Sequence, residues 1–180
     1  MGYVPNALDH LTERDEWLNA RIQADIESLK DIGLNAELVD LKAYFGSEDR
    51  LEAKLEELDG VWVSGGNVFI LRQAMKLSGF DSIVWRFGEK ASFVYGGYSA
   101  GCCVLSKTLT PYQKASDPTA RAYKAIDHVL WDGLGLIDFA FMPHYKSDHS
   151  ESERIEQEIE YCRENQIPYR TVRDGEVLVF

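Results

Sequence analysis

The chain has 180 residues, 45% hydrophobic and 27% charged, enough to bury one sizeable core in a single domain and too apolar for extensive disorder. A formal charge of -11 would repel a phosphate backbone, so nucleic acid is not an expected partner. The N-terminus lacks a basic start leading into an apolar stretch, and no apolar segment approaches membrane-spanning length, so the expected setting is the cytoplasm with no membrane partner.

Residues 2–5 read as a short apolar strand end. Leu18, Ile22, Ile26 and Leu29 then recur at helical spacing until Gly33 ends the run. Residues 36–41 alternate like a strand, Leu51, Leu55 and Leu58 mark a second helix, and Asp59-Gly60 turns the chain into Val61-Trp62-Val63. A helix is expected around residues 69–77, an apolar strand segment at 92–95, and a helix opening near Ala100. Strands alternating with helices at this interval imply an α/β fold with a mostly parallel sheet covered on both faces. Beyond residue 108 a polar connection with Pro111, Ser116, Asp117 and Pro118 is of the kind that often holds site residues. Residues 139–142 read as a strand, about 150–165 as a polar helix, and Asp174-Gly175 as a hairpin turn. Three cysteines, two of them the adjacent Cys102 and Cys103, suit neither a disulfide framework nor a spaced metal site, and read as buried thiols.

In an α/β sheet, sites form where strands end and helices begin. Two glycine-rich turns occupy such places: Ser64-Gly65-Gly66-Asn67, and Gly96-Gly97-Tyr98-Ser99-Ala100-Gly101. Glycines on both sides of Ser99 allow a sharp turn that lifts its hydroxyl clear of the backbone, with the Ala100 amide free to stabilise an oxyanion. A serine nucleophile needs a base. Of His10, His128, His144 and His149, His144 is the best placed, because it follows the strand-like residues 139–142 and would project from a strand end on the rim of Ser99; His149 is the spare candidate. The base needs an acid to fix its tautomer, and Asp117 lies between the two in chain order, with Asp132, Asp148, Glu151 and Glu153 as alternatives.

Taken together, Gly65-Gly66-Asn67-Val68-Phe69, Gly97-Tyr98-Ser99-Ala100-Gly101 and Pro143-His144-Tyr145 resemble, in this order, peptidase family S51, to which dipeptidase E and cyanophycinase belong. The resemblance runs from Val4 through the last strand. It implies a three-layer α/β sandwich of the flavodoxin-like, class I glutamine-amidotransferase-like kind, with Ser99 as nucleophile, His144 as general base and Asp117 in the place of the third member. It also implies an oxyanion hole from the Gly66 and Ala100 amides, substrate contacts from Asn67 and Tyr98, a short peptide as substrate, and neither metal nor organic cofactor.

The sequence departs from that family in two places. The arginine-containing stretch after the family's histidine reads here as Ser150-Glu151-Ser152-Glu153-Arg154, leaving Arg154 as the cationic substrate-binding candidate. Family members also begin with another strand, a loop and a helix before the segment matching residues 3–7, so the expected domain lacks that N-terminal strand. The leading expectation is a serine-type dipeptidase. An esterase with the same nucleophile turn and a non-catalytic peptide-binding relative are the alternatives, and a homodimer is left open.

Overall fold

The computed structural model describes residues 1–88, 90 and 92–179, with the side chains of residues 12–15 outside that description. Four short strands, β1 (Gly2–Val4), β2 (Glu37–Leu38), β3 (Gly60–Val63) and β4 (Val94–Gly97), form a parallel sheet in the order β2-β1-β3-β4. Two further strands, β5 (Ala140–Met142) and β6 (Tyr169–Thr171), pair in parallel as a separate two-stranded sheet. Parallel pairing requires crossovers. These are supplied by α1 (Asp15–Asp31), α2 (Glu48–Glu56), α3 (Val68–Ser78), α4 (Phe80–Gly88), α5 (Ala100–Cys103) and α6 (Ser152–Glu164).

Strand alternation divides the core between the two faces of the sheet. Tyr3 and Trp62, paired across β1 and β3, meet Ile22, Ile26 and Leu29 of α1 on one face. Val4, Val61 and Val63 point the other way, into a larger core shared with Leu51 and Leu55 of α2, Phe69 and Leu71 of α3, Phe80 and Ile83 of α4, and Ile155 of α6. The result is the expected three-layer α/β arrangement.

Several sequence expectations change in detail. The strand at residues 36–41 is cut to Glu37–Leu38, because the Asp40 carboxylate accepts the Lys42 amide and starts a 3-10 helix over Leu41–Tyr44. The helix near Ala100 is only four residues long. Asp174-Gly175 does form a turn, with Gly175 at φ +87° and the Glu176 amide bonded to the Arg173 carbonyl, but no strand follows it among the described residues. Cys103 and Cys162 are buried and Cys102 is partly so, all three as free thiols. Among the described residues, no helix is long and apolar enough to cross a membrane.

Candidate active site

β4 passes into α5 through Tyr98 and Ser99. Ser99 has φ +48° and ψ -118°, a backbone geometry that costs an L-residue about 1–3 kcal/mol and persists only where its surroundings impose it. Here the Cys102 and Cys103 amides both donate to the Ser99 carbonyl at 2.9 Å, and the Gly101 amide to the Tyr98 carbonyl at 3.0 Å. Gly101 is required by close approach: a Cβ there would lie 2.2 Å from the Val63 carbonyl oxygen, so only glycine lets α5 sit against the end of β3. The turn sets Ser99 in the wall of a cavity of about 460 Å³.

The second glycine turn lines the same cavity beside the Ser99 turn. Gly66 has φ +140°, and a Cβ there would fall 2.5 Å from the Ala7 carbonyl oxygen. Asn67 is the N-cap of α3: its Oδ1 accepts the Phe69 and Ile70 amides at 2.8 and 3.2 Å, and its Nδ2 donates to the Asp117 carbonyl at 3.0 Å. Asn67 thus lines the cavity with its amide group already engaged in local structure.

His144 follows β5 and also takes a positive φ, +58°. Its Nδ1 lies 2.7 Å from Oδ1 of Asp174, in the turn after β6. With that carboxylate ionised, Nδ1 carries the proton and donates, leaving Nε2 as the free base nitrogen. Ser147 Oγ accepts the Asp174 amide at 2.9 Å, tying that turn to the loop carrying His144. His149 stacks on His144 at 3.7 Å between centroids and 6° between planes, and its Nδ1 accepts the Glu151 amide. His144, His149 and Glu151 offer ligand atoms within 4.8 Å of one another, a set that could hold a metal ion; with both histidine Nδ1 atoms engaged in other hydrogen bonds, the Nε2 atoms would be the ligands there.

The sequence-predicted residues divide accordingly. Ser99, His144, Gly66, Asn67, Tyr98 and Asp117 all line the main cavity; Ala100 joins Gly66 and Ser99 in a small adjoining space. Asp117 is not paired with His144. Its Oδ1 accepts the Thr119 amide and hydroxyl at 2.8 and 2.7 Å, bonds that hold its carboxyl below the ordinary value, so it closes a local turn instead. Arg154 is exposed on α6 and does not line the cavity; among the described residues, the guanidinium that does is Arg21 of α1. Arg21 pairs with Asp25 at 3.1 Å and approaches the Tyr98 hydroxyl at 3.4 Å, and Tyr98 donates to Asp25 at 3.0 Å. His10 is exposed and lines the cavity together with Trp17.

Residues 2–180 match the profile described as peptidase family S51. An uncharacterized peptidase of Listeria monocytogenes is 32% identical over 148 residues, covering 81% of this chain and 68% of that protein. Peptidase E of Streptomyces coelicolor is 29% identical over 181 residues, covering 97% of this chain and 65% of its own length, and an uncharacterized peptidase of Listeria innocua is matched over 57% of its length at 32% identity. The chain therefore spans roughly three-fifths to two-thirds of these relatives. A crystal structure assigned as a peptidase E of Listeria monocytogenes superposes with a TM-score of 0.75 over 96% of this chain and 77% of that one, at 24% identity, and shares the flavodoxin-like, class I glutamine-amidotransferase-like fold. With a profile match over nearly its whole length, this chain belongs to peptidase family S51.

Proposed function

We propose that the chain is a serine peptidase that hydrolyses short peptides through an acyl-enzyme on Ser99, carried by a single S51-like unit. The observation that carries this reading is the 2.7 Å contact from His144 to Asp174, made at the rim of the cavity into which the strained Ser99 turn projects. In this mechanism Ser99 Oγ attacks the peptide carbonyl carbon as His144 Nε2 takes its proton. The carbonyl oxygen gains the negative charge, held by the Gly66 and Ala100 amides. His144 returns the proton to the leaving amine, and the C–N bond breaks. Water, deprotonated by His144, then attacks the ester and releases the acid, restoring Ser99. Asp174 keeps the imidazole in the required tautomer and stabilises its cationic form. The cytoplasm remains the expected setting.

Two consequences for specificity follow. Arg154 does not reach the substrate cavity, so it supplies no anchor for an aspartyl side chain. Arg21 reaches the cavity but is already neutralised by Asp25. The experiment is labelling with a fluorophosphonate probe and mapping of the adduct. The expected result is a single adduct on Ser99 that Ser99→Ala abolishes, together with dipeptide turnover lost in the same variant. Labelling elsewhere, or undiminished labelling of Ser99→Ala, overturns the reading.

A further inference from the structure

Next to the oxyanion donors lies a second cavity of about 20 Å³, lined by Gly66, Ser99, Ala100, Val68, Ile155 and Glu158 among others. Its size suits one water-sized group. Glu158 on α6 is fully buried. One of its oxygens, Oε1, accepts the Ala115 amide at 2.9 Å, while Oε2 is buried with no hydrogen-bond partner among the described residues. A buried carboxyl oxygen left unsatisfied is costly. It is a group awaiting a partner, and the small cavity is the space beside it.

The chemistry assigns that space to one side of the substrate. The leaving amine must lie near His144, which protonates it, and the acyl side chain must lie near the nucleophile and the oxyanion donors but away from the base. His144 lines the large cavity and not the small one, whereas Ser99 lines both. Resting on the serine-peptidase reading above, we propose that the small cavity is the acyl-side subsite, that it admits an N-terminal residue with at most one heavy atom beyond Cβ, and that Glu158 selects the hydroxyl of serine there.

Burial raises the Glu158 carboxyl to about 8, with Glu151, Cys103, Cys162 and Tyr112 as its titratable neighbours. At neutral pH it therefore carries its proton and can donate a hydrogen bond from one oxygen while accepting the Ala115 amide at the other. Val68 and Ile155 give part of the space apolar walls, and Ser116 and Glu151 add polar groups to its lining. An aspartyl side chain would be too large for it, and would set a second carboxyl against Glu158.

The test measures kcat/KM for Ser-Leu, Ala-Leu, Leu-Leu and Asp-Leu, with fluorophosphonate labelling of Ser99 run on the same preparation. Ser-Leu is expected to exceed Ala-Leu about tenfold, as one hydrogen bond allows, and Leu-Leu and Asp-Leu by about a hundredfold or more. The Ser-Leu to Ala-Leu ratio should survive in Glu158→Gln, which still offers a donor and an acceptor, and fall to about one in Glu158→Leu. Equal or reversed rates across the panel, with Ser99 labelled, overturn the subsite and leave the peptidase reading standing. Absence of labelling overturns both. The parent panel decides the size and hydroxyl preference by itself, so the proposal stays exposed to refutation even without a folded Glu158→Leu.

Discussion

The two halves of the candidate site are built in different ways. Ser99 is placed mainly by its immediate neighbours: the strand before it, the four-residue helix after it, and Gly97 and Gly101, whose lack of a side chain lets both elements sit against Val63 of β3. His144 and Asp174 lie 30 residues apart, and they meet because β5 and β6 pair in parallel with Met142 opposite Thr171. A slip of that register by one residue would turn each side chain to the opposite face. The nucleophile thus rests on local backbone chemistry and its base on long-range pairing, so the two halves should fail differently when disturbed.

The largest effect should come from the register-dependent half. Asp174→Asn keeps the shape but offers the wrong tautomer to His144, and kcat should fall by about a thousandfold or more without loss of the fold, as steady-state kinetics and circular dichroism would show. The local half should fail through stability. In Gly101→Ala the new methyl meets the Val63 carbonyl, and Tm should drop by about 3–10 °C, in line with overpacking penalties of about 1–3 kcal/mol.

Glu158 sharpens the contrast through pH. Its carboxyl, ordinarily near 4.5, sits at about 8 in the fold. Between those values the folded chain retains a proton that the unfolded chain releases. The favourable contribution is therefore complete below about pH 4.5 and is lost as pH rises towards 8. Glu158→Gln removes that slope, so its Tm advantage over the parent should widen by about 5–10 °C between pH 5 and pH 8 in calorimetry. The smallest effect is expected at Asp117: with its carboxylate committed to Thr119, Asp117→Asn should change kcat/KM by less than about threefold. A large loss there, with little at Asp174, would reverse the assignment of the acid.

How much could be read from the sequence follows the same division. The Ser99 turn, α1 and α3 were legible because glycine placement and helical spacing are local signals. Helix α4 carries such a signal in Phe80, Ile83, Val84 and Phe87, between the expected helix ending at Leu77 and the expected strand beginning at Ser92, and the structure buries all four. Asp174 could be read only as half of an Asp-Gly turn, since its pairing with His144 depends on strand register, and chain order pointed to Asp117 instead. Glu158 looked like one more charge on a polar helix. Its burial follows from sharing a face with Ile155, Ile159 and Cys162, a spacing visible in the sequence but given meaning only by what α6 packs against.

One contact ties the sheet's sparsely covered face to the chemistry. Asp25 of α1 accepts hydrogen bonds from both the Tyr3 and Tyr98 hydroxyls, at 2.5 and 3.0 Å, and Tyr98 is the residue immediately before Ser99. Helix α1 is therefore a tie bar as well as a cover. Displacing it from the sheet would break the hydrogen bond to the shoulder of the nucleophile turn, so the seating of a peripheral helix and the placement of the reactive hydroxyl share one carboxylate.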